Sequence, residues 1–242
     1  LAQLFWPAWI AVAVGLVVAV ATFGNHVFTA LGIALSTWII LGSVWVLVKR
    51  AKIFSVSFDQ SLSLLAATPR AYYGLVMGHM GLGLVLLSIT CISTWQQENI
   101  LSMKPGSRAI IGPYEITLQS IAQVQGPNYV AEQGSFGIGA GGGIFRVMTA
   151  ERRFYPLQQQ TTNQTAIRTN LISNTYIALG DPDGQGGWTV RLYYHPMAPW
   201  LWLGGCIMAL AGFVSLSDRR LRVGVAQKKL VPAKAAVAGA AS

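Results

Sequence analysis

His79 lies in AYYGLVMGHMGLGLVLL (71–87), where apart from two tyrosines the surrounding side chains are apolar or absent. Neutral imidazole donates a lone pair to metals and to haem iron. An ionisable group inside an apolar helix is costly and tends to be functional, but a histidine hydrogen-bonded to a neighbouring helix explains the residue type equally well. Gly74, Gly78, Gly81 and Gly83 leave the helix almost bare around the ring. Such a surface admits a flat macrocycle or a second backbone. Gly78, Gly81 and Gly83 are therefore expected to face a haem beside His79, with helix packing through the G-x-x-x-G of Gly74 and Gly78 as the competing account. A ring turned toward lipid, or bonded only to a carbonyl, would be no ligand.

The elements that hold this ring are membrane helices. The 242 residues are 53% hydrophobic and only 10% charged, against about a quarter charged in soluble domains. Crossing a bilayer takes roughly 20 apolar residues, and four stretches qualify: Pro7 to Phe23, Val27 to Val48, Tyr72 to Thr94 and Pro199 to Ser217. Aromatic side chains suited to the interface flank each one. The predicted fold is a multi-pass α-helical membrane protein of about four transmembrane helices with an inserted small all-β periplasmic domain. It divides into two helices (1–48), a basic, amphipathic cytoplasmic loop (49–71), the His79 helix (72–94), the β domain (95–198), a last helix (199–217) and a basic cytoplasmic tail (218–242) expected to be disordered. Within the loop, 53–69 reads as a helix along the interface or as a plain connection.

Charge sets the orientation. Ten basic residues and two acidic ones, Asp59 and Asp218, lie in the loop and tail, whereas the segment from Trp95 to Ala198 holds seven basic and six acidic residues. Positive loops stay in the cytoplasm, which places 95–198 in the periplasm and the chain in a bacterial inner membrane. The tail follows a span directly, so its charge is read as orientation and not as a nucleic-acid arm. The first residue is Leu1 and no signal peptide is read, so the chain is expected to be a fragment or a processed half.

No second iron ligand is in reach. His79 lies seven residues past Tyr72, roughly 10 Å into the membrane at 1.5 Å per residue. His26, in the turn after the first span, and His195, just before the last one, belong to the opposite face, roughly 20 Å away across a core about 30 Å thick. Two nitrogens on one iron are only about 4 Å apart. Either the second base comes from another chain or a missing segment, or the iron is five-coordinate, or there is no haem.

Other candidate chemistry is weak. Cys91 and Cys206 both fall in spans, with no CxxC or Cys/His spacing, and read as small buried residues. Gly137, Gly139 and Gly142 have dinucleotide-fingerprint spacing, but IFRVMT follows where a helix is required, so a flexible glycine-rich hairpin loop is expected. Arg152 and Arg153 could dock an anion such as a propionate, although a solvated strand end is the plainer reading. YEITLQS (114–120), NYVAEQ (128–133), GIFRVMT (143–149), NTYIALG (174–180) and GWTVRLYY (187–194) read as strands, with DPDGQGG (181–187) as a hairpin loop. They suggest one small sandwich or open barrel.

The stretches PRAYYGLVMGHMG (69–81), GPNYVAE (126–132), ERRFYPL (151–157), AIRTN (166–170), TYIALGDP (175–182), WTVRLYYHPMAPWLWLGG (188–205) and SLSDRR (215–220) resemble, in order, the C-terminal portion of the cytochrome c maturation protein F (CcmF) family. That family is a membrane haem lyase component. It often carries Lys where His195 stands. The resemblance implies a b-type haem held between two transmembrane histidines, one matching His79 and the other in an N-terminal part missing from this chain. It implies haem delivery by a haem chaperone to a Trp-rich domain of that missing part, and addition of the CxxCH thiols of apocytochrome c across the haem vinyl groups. The buried haem would relay electrons. Further partners would be other cytochrome c maturation subunits and membrane lipid, with no nucleic acid. This chain, inactive alone, would supply one axial ligand, the β domain and the last span. The competing readings are a non-catalytic assembly subunit that docks maturation partners through its β domain, and a transporter fragment.

Overall fold

A computed structural model describes residues 5–24, 26–140 and 143–218. Its helices are α1 (Phe5–Ala21), α2 (Val27–Ala51), α3 (Phe58–Ala66), α4 (Arg70–Trp95) and α5 (Ala198–Leu216). Helices α2, α4 and α5 are long and apolar enough to cross a membrane. Helix α1 is apolar but has 17 residues, about 26 Å at 1.5 Å per residue. Three of the four expected spans thus meet the length. The basic tail lies outside the described residues, apart from Asp218. Helix α3 occupies part of 53–69 and is tied to α4 by Tyr73 Oη, which donates to the Leu65 carbonyl at 2.9 Å.

Helix α4 is the centre of the helical layer, with α5 against one side and α2 against another, and α1 packs on α2. Lipid offers no hydrophobic drive to join apolar helices, so close backbone approach must supply the contact. Glycine permits it. A Cβ on Gly74 would meet the Ala211 carbonyl of α5 at 2.7 Å, and one on Gly81 would meet the Gly204 carbonyl at the same distance. Hydroxyls in these helices turn back onto their own carbonyls, as Ser36 does on Ile33 and Ser43 on Ile39. That satisfies them where water is absent.

Between α4 and α5 the chain builds a β-sandwich. One antiparallel sheet has the order β1 (Gln97–Met103), β9 (Trp188–Pro196), β8 (Ser173–Pro182), β7 (Ala166–Thr169). The other runs β2 (Arg108–Ile111), β3 (Tyr114–Gln125), β4 (Val130–Ala140), β5 (Gly143–Tyr155), β6 (Gln160–Gln164). Alternate residues point inward: Ile116 and Leu118, Phe136 and Ile138, Ile177 and Leu179, Val190 and Leu192 close one core with Met103. In the β8–β9 turn the Asp183 carboxylate accepts the Gln185 and Gly187 N–H groups and the Ser102 hydroxyl, so DPDGQGG forms the expected hairpin loop.

The glycine-rich stretch departs from expectation. Residues 136–140 are the end of β4, registered against β3 and β5, and 141–142, Gly142 included, lie outside the described residues. Gly137 is packed under Ile144, where a Cβ would meet the Ile144 Cδ1 at 2.7 Å. Strand pairing on both sides, not loop freedom, occupies Gly137 and Gly139. No helix follows to receive a pyrophosphate.

Candidate functional site

Pro69 precedes α4 in an extended conformation, and the helix starts at Arg70. Its free N-terminus is satisfied from the far end of the fold, where Asp218 Oδ2 accepts the Ala71 N–H at 3.0 Å. His79 lies nine residues from that start, about 13 Å along the axis, and about 22 Å from Thr94 near the other end. Its side chain is exposed. Nδ1 lies 2.8 Å from the Leu75 carbonyl oxygen, one turn back. A carbonyl can only accept, so in the neutral ring Nδ1 carries the hydrogen and Nε2 the lone pair. The helix thereby fixes both tautomer and ring direction, as the partner of a ligating histidine does.

Grooves lie on both sides of the ring. Between α2 and α4, Trp38, Gly42, Ser43 and Val76 enclose about 270 Å³ with His79 on the border. Between α4 and α5, Gly74, Gly78, Met208, Ala211 and Ser215 line another of about 400 Å³, again bordered by His79. The expected glycine surface divides. Gly78 borders the second groove, with only the Ala211 Cβ near it at 3.8 Å. Gly81 is filled by Met208 and the Gly204 carbonyl, and Gly83 by Ile40 and the Ser36 carbonyl. These two glycines serve helix contacts, because α5 and α2 reach them first. The α2 wall of Trp38, Gly42 and Ser43 escaped the sequence reading; its signal is the aromatic and small residues one helical turn apart.

The other histidines stay remote. Thr29 and Thr94 hydroxyls meet at 2.8 Å, which places the start of α2, and exposed His26 before it, at the far end of α4 from His79. His195 ends β9 opposite Asn174, with Tyr176 and Tyr193 rings at 5.1 and 6.1 Å. Burial there pushes the basicity of His195 down. Among the described residues no cluster of three or more His, Cys, Asp or Glu side chains could hold a metal ion.

Two lesser expectations change. Arg152 pairs with Asp181 at 2.6 Å and Glu132 at 3.3 Å, while Arg153 pairs with Glu151 at 2.7 Å and lies over Tyr129. The Arg153 hydrogen bond holds the Glu151 carboxyl below its usual range. Both guanidiniums are committed to carboxylates, which replaces the solvated strand end. Cys91 is buried but Cys206 is exposed on α5, and neither is bridged.

Residues 94–196 match the family described as CcmF C-terminal beta-sandwich. The cytochrome c-type biogenesis protein CycK of Bradyrhizobium diazoefficiens is 35% identical over 218 residues, 88% of this chain and 33% of that protein. This chain corresponds to the C-terminal portion of CcmF-family proteins. CcmF of Escherichia coli, also a cytochrome c-type biogenesis protein, is 31% identical over 204 residues, covering 84% of this chain and 30% of its own. A solved structure named Cytochrome c Heme Lyase CcmF superposes with a TM-score of 0.64 at 18% identity, over 87% of this chain and 34% of that one. At that identity the likeness is one of fold. The chain spans about a third of the length of the curated CcmF-family relatives it matches.

Proposed function

We propose that this chain is the C-terminal part of a CcmF-type haem lyase of the bacterial inner membrane, with residues 95–198 in the periplasm. In this reading His79 Nε2 is one axial ligand of a transmembrane b-type haem, and the second base comes from outside the chain, in the N-terminal part of the family or a companion chain. The observation that carries it is the likeness to a cytochrome c-type biogenesis protein over 88% of the chain; the Nδ1 contact to Leu75 at 2.8 Å leaves Nε2 as the nitrogen that could ligate. His79 is exposed on α4 and its one hydrogen bond among the described residues is to a carbonyl, the arrangement that the sequence analysis takes to be no ligand. This chain by itself does not make His79 a ligand; the assignment requires a second element that covers the ring and meets Nε2. The face His79 borders belongs to a chain about a third the length of its relatives, and the remaining two thirds are the natural cover for it.

The residues present fit such a group. Apolar α2 and α4 side chains border the ring on one side, and Gly78 opens a bare strip on the other. When bound, the haem supplies an iron whose potential follows its axial ligands and burial. His79 sets one ligand, Leu75 fixes its direction, and Trp38 and Val76 keep water from that edge. The activity of the whole assembly adds the two CxxCH thiols of apocytochrome c across the vinyl groups. Each S–H forms one S–C bond and gives its hydrogen to the neighbouring vinyl carbon, with no net oxidation. Because His79 is about 22 Å from the exported end of α4, its place is the electron relay and not the thioether site. A haem chaperone, apocytochrome c and other maturation subunits are the partners this implies.

Co-expressed with the N-terminal part, the chain is expected to show Soret and reduced-haem bands that collapse in His79→Ala and return with added imidazole. An unchanged bis-histidine spectrum in that variant refutes the ligand assignment. Apocytochrome ligation that survives it favours the assembly-subunit reading.

A further inference from the structure

The sandwich has two unlike ends. Strand directions sort its ends: the linker at Gln96, the turn at 112–113, Ala140 at the end of β4, Gly143 at the start of β5 and the turn at 170–172 share the end from which α4 and α5 leave, and loops 104–107, 126–129, 156–159 and 183–187 share the other. Gly112 N–H, donating to the Gln97 side chain at 2.8 Å, confirms the pairing of the two sheets at the helix end. The far loops carry one exposed large aliphatic side chain, Leu157. The helix end carries Ile110, Ile144, Phe145, Leu171 and Ile172, with Leu171 85% and Phe145 53% exposed. Exposed apolar side chains that cluster on one face mark an interaction site.

These tips form one surface. Tyr114 packs on Phe145 with ring centroids 6.2 Å apart and accepts a hydrogen bond from the Asn170 amide at 2.7 Å. The Arg168 guanidinium lies over both rings, 4.6 Å from Tyr114 and 5.0 Å from Phe145. Trp200, in the first turn of α5, donates its indole N–H to the Leu171 carbonyl at 2.7 Å, and the Met197 N–H is bonded to the Ile172 carbonyl. The exposed turn is therefore clamped to the root of a membrane helix at the level where interfacial tryptophans sit.

Arg146 is exposed at this end and forms no salt bridge among the described residues, as Lys104 and Arg191 elsewhere on the sandwich also form none, whereas Arg168 is held over the two rings with its Nη1 buried. Arg146 follows Phe145 directly, roughly 3 Å above it at about 3.3 Å per residue. That is the height of headgroup phosphates when apolar side chains reach the acyl boundary. The carboxylates at this end are Glu115, which is paired with Arg108, and exposed Glu98 on the opposite sheet's edge.

We infer that the helix end of the sandwich is a membrane seat: Ile144, Phe145, Leu171 and Ile172 enter the leaflet from which α4 and α5 emerge, Arg146 meets the lipid phosphates, and Arg168 braces the Tyr114 and Phe145 rings from within. The seat holds the β domain down on the bilayer and fixes its tilt. Continuity decides the occupant, since Trp200 and Met197 at the root of α5 hold the Leu171 and Ile172 turn directly against a helix long and apolar enough to cross the membrane.

The test uses the full chain in phosphatidylcholine nanodiscs with and without phosphatidylglycerol, in a Cys91→Ala, Cys206→Ala background. Nitroxide labels are attached to Phe145→Cys, Leu171→Cys or Leu157→Cys, three exposed positions, of which only Phe145 also packs on a neighbouring ring. At 145 and 171, broadening by lipid-soluble oxygen is expected to exceed that by a water-soluble nickel chelate severalfold, with the reverse at 157. Labels at 145 and 171 that respond like 157 overturn the seat. Shielding from both reagents, which means a protein cover, overturns it too, as does spin–spin broadening between copies. Because 145 and 171 lie on different sheets, one poorly tolerated label leaves the other to decide.

Discussion

Gly78 and Gly81 lie three residues apart on α4 and answer differently to one added methyl group. At Gly81 a Cβ would come 2.7 Å from the Gly204 carbonyl oxygen and 3.1 Å from the Met208 backbone nitrogen. Those are backbone atoms of α5 that cannot swing aside, so the helices must separate. Overpacking of this kind costs about 1 to 3 kcal/mol. At Gly78 the nearest atom is the Ala211 Cβ at 3.8 Å, ordinary contact, and alanine's helix preference favours the change by up to about 1 kcal/mol. Gly81→Ala should therefore unfold more readily than Gly78→Ala by at least a fivefold ratio of equilibrium constants, since about 1.4 kcal/mol is a factor of ten. Detergent titration of the helical signal in mixed micelles measures the difference. Equal stability, or a weaker Gly78→Ala, refutes the assignment of Gly81 to the α4–α5 contact.

The opposite substitution, Gly78→Leu, fills the groove beside His79; the helices should hold, while the haem spectrum of the co-expressed assembly weakens. Burial lowers the His195 pKa, so the folded state disfavours the proton. Its contribution to stability is full above the unfolded value near 6.5 and declines as pH falls toward the lower folded value; His195→Gln should flatten an unfolding-midpoint profile in that window. The Asp183 carboxyl is held down first by the Ser102 hydroxyl and then by the Gln185 and Gly187 N–H groups. Its stabilisation is present above the unfolded pKa of about 4 and lost as pH falls through the folded value, so wild type and Ser102→Ala should converge in acid. Trp200→Phe removes the bond to the Leu171 carbonyl, and a label at residue 171 should become more mobile by electron paramagnetic resonance.

The helices and the sandwich were legible because both follow from where apolar residues recur. Long apolar runs gave α2, α4 and α5, and alternation gave β3, β5, β8 and β9. Strands β1, β2, β6 and β7 were not read as strands, and β2 and β7 have only four residues each. QENILSM and QTTNQ lack an apolar period because each is an outer strand, and β6 has no buried face to fill. FGIG at 136–139 does alternate, Phe136 and Ile138 inward with glycine between, and that period of two was the signal; glycine content hid it. His79 was legible as a residue out of place in its solvent. The use of each glycine was not, because a missing side chain names no neighbour.

Angular position on α4 resolves what composition left open. Gly74 and Gly81, seven residues apart, share a face at about 100° per residue, and both meet α5. Gly83 stands about 200° beyond Gly81 and meets α2. Between those two occupied faces Leu75, His79 and Leu82 follow at i, i+4 and i+7, all exposed, a ridge with the spacing of a helix-packing stripe. An imidazole in the middle of that ridge is presented to whatever covers it, and neither α2 nor α5 can do so without leaving the contacts made through Gly83, Gly74 and Gly81. On the function proposed above, the ring would meet an element from outside the described residues, and Nε2 is the atom that element would find first.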